Sequence, residues 1–519
     1  MASRAGECEQ LAPALDFSSM TTPVRVPRSA NRWTILAVVT LVAFVTNLDA
    51  TIVIIGLPRI VASLHTSITV GLWTVTAYII TSTVFLLPAG RWSDSSGRRA
   101  CFVFGLCLFT AGTLACGLSA SGAQLIAFRL AQGVGGAFGV ATGTPVLVDV
   151  FPPKELGRAL GTNATAWVVG SIVGPVAGGA IVSGLGWRWI FFVTVPFGVI
   201  GAALGWKVIP DPAAKDPRVR TDWLGIATFT TALVSLLMAL SEGLAWGWTS
   251  WRILVLFGAV VLFGVLFFVL ETHIDEPLFD LAVVRNTHYR IGAAVALFYG
   301  TGFFATTFLL AFYLQGALRL GPLDAGLLLI PLSAPQVVLA PLGGHIADRY
   351  GSAPPMLFGL VLLIGAAVWL AQLGPKLNIV AVVMPLLLMS IANGFTWPPL
   401  IKAVMSSAPA GKSGAASGIF YTVRNFASSL SFTLALVVAE LTLPPALAVK
   451  IYLGSSHLAD AATIHALVHS TDIGFKLFVA FYVVALLFAL ALLRPVHEGR
   501  DAKKQAAIEA SKSVSSGRV

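Results

Sequence analysis

Fourteen apolar segments of membrane-spanning length divide this chain, and they limit what it can fold into more than any other feature. About 20 apolar residues in a helix span a bilayer core about 30 Å thick. The segments lie near residues 34–57, 70–89, 100–118, 123–148, 158–182, 187–208, 222–241, 252–271, 290–315, 324–346, 354–373, 378–403, 414–440 and 473–494. Charged residues make up only 11% of the chain, against about 25% in soluble domains. We therefore predict an all-α polytopic membrane protein.

Lysine and arginine residues are distributed unevenly between the predicted loops. If the spans alternate across the membrane from a cytoplasmic N-terminus, most of the 33 basic residues fall on the cytoplasmic side. Such an excess marks the cytoplasmic face of membrane proteins, so we predict that both termini are cytoplasmic. Contact with membrane lipids then explains the net charge of +10. We expect no nucleic acid partner.

A Gly-x3-Asp-x2-Gly motif occurs twice, each time after an apolar segment. Its residues are Gly90, Asp94 and Gly97 with the following Arg98 and Arg99 in the first copy, and Gly344, Asp348 and Gly351 in the second. Glycine permits a tight turn, aspartate can accept hydrogen bonds from a helix N-terminus, and arginine can donate to carbonyls at a helix C-terminus. A plain polar turn would explain one copy alone. Two copies at matching positions favour a cytoplasmic loop motif in a duplicated chain.

The two motif copies also predict the domain organisation. If each copy follows the second helix of its half, the halves comprise spans 1–6 and 9–14, with spans 7 and 8 inserted between them. Two related halves with a crevice between them are the usual plan of a secondary transporter. The predicted segments are a cytoplasmic tail at 1–33, the first half at 34–208, the inserted helices with flanking cytoplasmic loops at 209–289, the second half at 290–494 and a cytoplasmic tail at 495–519.

The fifth span contains glycines at regular spacing. Gly170, Gly174 and Gly178 recur every fourth residue, and Gly179 follows them. Residues four apart lie on one face of a helix, and small residues there let a neighbouring helix approach closely. Pro175 lacks a backbone donor and predicts a bend in the middle of the helix. A helix that only anchors the chain needs neither feature.

Further segments carry a family resemblance. They are Leu48–Pro58, the Asp94 loop, Arg129–Gly133, Phe151–Arg158, the Gly170–Gly179 helix and Gly186–Phe192. In these segments the chain resembles the fourteen-helix drug/proton antiporter family of the major facilitator superfamily. The resemblance implies the major facilitator fold. In that family the Gly-Pro helix is associated with antiporting exporters, so the resemblance also implies export rather than uptake.

Two ionisable residues are predicted to lie at similar depth in the membrane. Asp49 in span 1 and Arg129 in span 4 lie about 12 Å and about 9 Å below the external surface, at about 1.5 Å per residue. Charged groups at such depth are costly and mark functional sites. Our hypothesis is that Asp49 is the proton-coupling carboxylate and that Arg129 tunes its proton affinity. A static buried ion pair is the alternative.

Arg424 in span 13 is predicted to lie near the membrane midplane, and the second half offers no midplane carboxylate to pair with it. It either faces the crevice beside Tyr421 and Asn425 and meets a substrate oxygen, or donates to helix carbonyls as a structural strut. The lack of a second midplane carboxylate favours neutral or singly charged lipophilic substrates over dications.

A cavity for lipophilic compounds needs aromatic walls. The aromatic candidates for such a cavity are Trp73, Tyr78, Phe304, Phe308, Trp397 and Tyr421. Packing between helices or against lipid is the alternative role for each of them.

Three charged residues are explained by topology alone. Asp149, Glu271 and Lys402 fall at cytoplasmic helix ends, where their side chains are expected to reach the membrane surface.

The segment Gly411–Ser413 resembles the end of a phosphate-binding loop but lacks the preceding glycine and strand of that motif. We therefore do not expect the protein to hydrolyse ATP.

Histidines cluster in a predicted external segment at 441–472. His457, His465 and His469 fit either a zinc site or, as we favour, a surface amphipathic segment. The spans contain no cluster of metal-binding or catalytic side chains. We predict that the protein uses no metal and no cofactor, and that it is not an enzyme.

These observations predict a proton-driven antiporter that exports lipophilic compounds across the plasma membrane by alternating access. Its expected partners are a small lipophilic substrate, protons and membrane lipids, with a monomer as the working unit. A dedicated exporter of an endogenous metabolite or lipid is one alternative, and a non-transporting membrane sensor on the same fold is another.

Overall fold

The computed structural model describes residues 31–210, 222–274, 278–279, 281–320, 322–409, 411–442 and 461–493, and this part of the chain contains no strand. Fourteen of its helices are long and apolar enough to cross a membrane, which confirms the predicted fold class. They are α1 Arg32–Ser63, α2 Ile68–Ser96, α3 Arg98–Leu118, α4 Gly122–Val150, α5 Pro153–Gly184, α6 Trp189–Val208, α7 Trp223–Trp246, α8 Trp251–Glu271, α9 Thr287–Ala317, α10 Asp324–Tyr350, α11 Ala353–Leu370, α12 Ile379–Ser406, α13 Ser413–Glu440 and α14 Ala461–Ala491.

Helix ends follow from short polar side chains and from glycine. Ser67 accepts a hydrogen bond from the backbone of Val70 at the start of α2, as short polar residues commonly do at that position. Gly97 and Gly351 follow α2 and α10 with φ of 101° and 85°, a region that other residues rarely adopt. The two glycines that close the repeated motif therefore end the helices that carry its aspartates.

The last helix begins earlier than the sequence predicts. Apolar residues predict a span at 473–494, whereas α14 already begins at Ala461. His465 and His469, which are both exposed, therefore lie on the first turns of α14. Polar residues lower the hydropathy of these turns without preventing the backbone from continuing its hydrogen bonds. His457 lies outside the described residues.

We call helices α1–α6 the first group and α9–α14 the second group, and α7 and α8 pack at the side of the bundle. α7 packs on α2 through Leu233 and Leu237, which contact Ile80 and Val84. Thr433 of α13 also donates to a carbonyl of α7 over 3.2 Å. α8 packs on α7, and its exposed side chains include Leu254, Val261 and Phe268. The inserted pair therefore covers the boundary between the groups on one side and presents α8 to lipid.

α5 packs against α1 through its glycine face. A Cβ added at Gly174 would overlap the hydroxyl group of Thr51, and a Cβ at Gly178 would lie 2.8 Å from Ile52. The Thr51 hydroxyl also donates to the Gly170 carbonyl over 3.3 Å. Only glycine permits this approach of two backbones.

The predicted motif of the fifth span also contains Gly179 and Pro175. Gly179 has no atom within 4 Å of the position its Cβ would take, so it does not contribute to the close approach. Pro175 lies within the continuous α5 helix, but its side chain lies outside the described part of the chain.

Replacement of Gly174 by leucine is expected to abolish transport without preventing membrane insertion, because the new side chain would push α5 away from α1. Gly179→Leu, five residues further along the same helix, is the matched control and is expected to retain transport. Both variants are measured for insertion and for proton-driven dye accumulation in inverted vesicles. Equal transport by the two variants would show that the glycine face has no mechanistic role.

Candidate functional site

Asp49 and Arg129 form an ion pair inside the first group of helices. Nη1 of Arg129 donates to Oδ2 of Asp49 over 2.6 Å, and both side chains are 0% exposed. Nε of Arg129 donates to the backbone carbonyl of Thr74 in α2 over 3.0 Å. The pair therefore joins α1, α2 and α4 at one point.

Gln132 completes the cluster around Asp49, and residue types alone did not single it out. It lies one helical turn after Arg129, on the same face of α4. Its Nε2 donates to Oδ1 of Asp49 over 2.9 Å and to Thr113 of α3 over 2.6 Å. Its Oε1 accepts a hydrogen bond of 2.6 Å from Arg129. Both carboxylate oxygens of Asp49 thus have a hydrogen-bond donor.

Tyr78 belongs to this cluster, which corrects its prediction as a residue of the substrate cavity. The guanidinium of Arg129 lies 4.3 Å from the centre of the Tyr78 ring. An aromatic face stabilises a cation by its quadrupole, more strongly where water is excluded. The ring therefore adds to the stabilisation of the Arg129 cation.

Asp94 connects the two groups of helices at one end of the bundle, which we call the loop-motif end. Its carboxylate accepts hydrogen bonds from the backbone amides of Gly414 and Ala415, at 2.8 and 2.7 Å, where α13 begins. Arg98 donates to Asp94 over 2.5 Å, to Asp149 of α4 over 3.0 Å and to Ser413 over 2.8 Å. We call these contacts the Asp94 cluster. A carboxylate at a helix N-terminus is favoured by the helix dipole.

Asp348 makes the equivalent contacts from the second group. Its two carboxylate oxygens accept hydrogen bonds of 2.7 and 2.8 Å from the amides of Gly157 and Arg158, near the start of α5. Lys402 of α12 donates to Asp348 over 2.7 Å. We call these contacts the Asp348 cluster. Lys402 supplies the positive charge that the second motif copy lacks after its glycine.

The contacts of Lys402 and Asp149 correct the expectation that these side chains extend to the membrane surface. The side chains are only 12% and 24% exposed, and each is paired with a charge of another helix. Glu271 is likewise buried, and it accepts hydrogen bonds from the amide of Phe279. Arg99 donates over 2.7 Å to the carbonyl of Ile209, directly after α6.

Hydrogen bonds between the two groups, within the described residues, extend from the loop-motif end to about the middle of the helices. Beyond the Asp94 and Asp348 clusters they comprise Thr144 with Tyr421 at 2.8 Å, Thr165 with Val337 at 3.2 Å and Asn425 with Thr83 at 3.1 Å. Glycines bring the backbones together along this stretch, as where Gly90 meets Gly414. The groups are therefore joined at the loop-motif end, and a crevice of the kind that secondary transporters carry between their halves would open toward the other end.

Arg424 lies where helices of the two groups meet. Its guanidinium carbon is 4.9 Å from the ring centre of Trp167 in α5, 5.1 Å from that of Phe304 in α9 and 5.5 Å from that of Trp397 in α12. Nη1 of Arg424 donates to Asn425 over 3.3 Å. The structure thus brings together four of the predicted cavity residues, Phe304, Trp397, Arg424 and Asn425. It adds Trp167, which the sequence did not single out for the cavity. Tyr421 lies nearby, since its ring packs on Phe420, which packs on Trp397.

Two aromatic candidates make other contacts. Trp73 packs on the cluster that joins α2 to the inserted helix α7, which corrects its prediction as a cavity residue. Phe308 packs edge-on against Phe432, with ring centres 4.9 Å apart. Residue type and span number alone could not distinguish Trp73 and Phe308 from the rings around Arg424, because all are aromatic residues on helices near the boundary between the two groups.

The histidines of α14 are not arranged as a metal site. Among the described residues, no group of three or more His, Cys, Asp or Glu side chains could hold a metal ion. Asp472, one turn after His469, pairs with Lys476 over 2.7 Å.

The model of the Major Facilitator Superfamily matches residues 39–432. The multidrug resistance protein Stp of Mycobacterium tuberculosis is 33% identical over 75% of this chain and 72% of its own length. The tetracenomycin C resistance and export protein of Streptomyces glaucescens is 30% identical over 77% of this chain and 74% of its own length. The proton:xylose symporter XylE has a similar fold, with a TM-score of 0.60 at 15% identity over 89% of this chain and 96% of its own. The protein therefore belongs to the Major Facilitator Superfamily, as a multi-pass transporter of the plasma membrane and not an enzyme.

Proposed function

We propose that this transporter exports lipophilic compounds in exchange for protons. The buried cluster of Asp49, Arg129 and Gln132 carries the proposal, because it holds a titratable carboxylate deep in the bundle beside the helix with the glycine face. A proton on Asp49 would cancel the charge that Arg129 pairs with. The two protonation states then favour different arrangements of α1 and α4, which is what a proton-coupled change of conformation requires.

α5 provides a physical connection from this carboxylate to the loop-motif end. Gly170 and Gly174 of α5 pack on α1 on either side of the level of Asp49, through Asn47 and Thr51. About 20 Å further along the same helix, the amides of Gly157 and Arg158 donate to Asp348. A shift of α1 is thereby transmitted by a rigid helix to a contact between the two groups.

Alternating access follows if the Asp94 and Asp348 clusters break and re-form in each cycle. With both clusters formed, the crevice would be closed at the loop-motif end, which the distribution of basic residues predicts to be cytoplasmic. Breaking them would admit substrate from the cytoplasm or the inner leaflet. Every group named in this cycle lies in one chain, so a monomer is a sufficient working unit.

Export of drug-like molecules is supported by the names of the relatives, a multidrug resistance protein and an antibiotic export protein. The latter name keeps the second candidate open, a dedicated exporter of one metabolite. A sensor without transport is less well supported, because it has no use for a buried titratable ion pair. Dye transport distinguishes an exporter of lipophilic compounds from the other two candidates, because neither a sensor nor a narrow-substrate exporter would accumulate a lipophilic dye.

Asp49→Asn is expected to abolish proton-driven dye accumulation in inverted vesicles, because an amide cannot bind and release the proton. Asp49→Glu, which keeps a titratable group, is expected to retain part of the activity. Asp472→Asn, on α14, is the control and should behave like the unmodified protein. Export by Asp49→Asn that still depends on the proton gradient would refute the role of Asp49.

Amounts of folded protein must be compared, because loss of one partner leaves Arg129 buried without its counter-ion. Removal of one partner of a buried pair costs about 3–5 kcal/mol. Size-exclusion profiles of the purified variants make this comparison. A folded Asp49→Asn variant that binds dye without transporting it is the expected result.

Loss of either cluster is expected to open the loop-motif end. A cysteine replacing Ala415, which is 0% exposed in the structure, reports this opening in a background without the native cysteines. Asp94→Ala and Asp348→Ala should each raise its rate of labelling by a maleimide about 10-fold or more, since charge-assisted hydrogen bonds are lost. Asp472→Ala removes an exposed pair of little energetic value and should leave the rate unchanged. Unchanged labelling in both cluster variants would show that these contacts do not hold the groups together.

A further inference from the structure

Arg424 differs from the buried arginines Arg98 and Arg129 in having no counter-ion among the described residues. Arg129 is paired with Asp49, and Arg98 is paired with Asp94 and Asp149. Among the described residues, no carboxylate lies within ion-pair distance of Arg424, and its single hydrogen bond goes to the neutral Asn425. A charge in this position is expensive unless something compensates it.

Aromatic rings supply part of that compensation. The guanidinium is enclosed by Trp167, Phe304 and Trp397, whose ring centres lie 4.9–5.5 Å away. These faces stabilise a cation but offer no acceptor for its hydrogen bonds. A guanidinium has five N–H donors, so most of the donors of Arg424 are available to a molecule in the crevice.

The surroundings are also open to such a molecule. Arg424 and the three ring side chains are each partly exposed, in contrast to the fully buried Arg129. They come from α5 of the first group and from α9, α12 and α13 of the second. The site therefore lies between the groups that are proposed to move, where a bound substrate can be offered first to one side and then to the other.

We propose that Arg424 and its rings form the recognition site for planar aromatic monoanions, such as aromatic carboxylates. The guanidinium would bind the carboxylate through two parallel hydrogen bonds, and the indole and phenyl faces would contact the apolar body of the substrate. This inference rests on the proposed function and specifies its substrate class. The site selects for negative charge, whereas aromatic walls alone would also accept neutral molecules and cations.

Electrical consequences follow from the charge of the substrate. Exchange of one entering proton for one leaving monoanion moves two positive charges inward, exchange for a neutral molecule moves one, and exchange for a monocation moves none. The membrane potential, negative inside, therefore adds most to the export of an anion. Export of aromatic anions would be the most voltage-dependent reaction of this transporter.

Binding of the matched pair 2-naphthoate and 2-naphthamide to the purified protein in nanodiscs tests the site. These ligands share one ring system and differ in charge. Isothermal titration should show that Arg424→Gln weakens the affinity for naphthoate about 10- to 100-fold, the value of one or two charge-assisted hydrogen bonds. The affinity for naphthamide should change by less than about 3-fold. Arg424→Lys keeps the charge but not the planar fork, and should fall between the two.

Arg188→Gln is the matched control, because Arg188 also contacts an aromatic ring, that of Trp187 at 4.4 Å, but lies directly before α6 and away from Arg424. It should bind both ligands normally. Equal losses for naphthoate and naphthamide in Arg424→Gln would overturn the proposal and assign Arg424 a structural role. Equal affinities of the two ligands for the unmodified protein would overturn it as well.

Transport in proteoliposomes separates this inference from the proposed function. At a fixed pH gradient, a potassium and valinomycin potential should accelerate naphthoate export more than naphthamide export. Proton-driven export of neutral dyes with no naphthoate export would refute the anion site and leave the proposed function intact. Absence of any proton-linked transport would refute the proposed function itself, while selective naphthoate binding that Arg424→Gln removes would still establish the anion site.

Discussion

The need to pair a buried charge governs the arrangement of this bundle. Three clusters hold such pairings among the described helices: Asp49 with Arg129, Arg98 with both Asp94 and Asp149, and Asp348 with Lys402. Each cluster joins several helices, because a charge in a medium of low dielectric is stabilised only by partners at short distance. Arg424 has no counter-ion among the described residues, and it lies where helices of both groups meet. The same rule thus accounts for the fixed contacts and motivates the proposal that Arg424 binds an anionic ligand.

Much of the fold and part of the site are predictable from the sequence, because the information is local. Spans follow from apolar length, and the motif aspartates follow from their glycine spacing. Partners supplied by other helices were not predictable: Lys402 lies 54 residues from Asp348, and no local pattern relates them. Tyr78 and Trp73 were assigned to the cavity because both are aromatic residues on α2. Which way each side chain points depends on the rotation of α2 against α4 and α7, and that rotation is set by packing.

Glycines determine how closely the charged groups can approach. Without the contact of Gly174 with Thr51, α1 and α5 would separate, and α1 carries Asp49. Without the contact of Gly157 with Gly344, the Asp348 carboxylate could not reach the amides of α5. Glycines and charged residues therefore act together, because the close approach of the backbones makes short polar contacts between helices possible.

The two clusters at the loop-motif end are similar in geometry but not in their connection to the proton site. The Asp94 cluster binds α13, whereas the Asp348 cluster binds α5, the helix whose glycine face contacts α1. Under the proposed function, a proton on Asp49 is therefore expected to act first on the Asp348 cluster. α13, bound by Asp94, is also the helix that carries Arg424. The proposed proton signal would then pass through α5 and the proposed substrate signal through α13, so that both ligands would act on one contact surface between the groups without sharing a binding site.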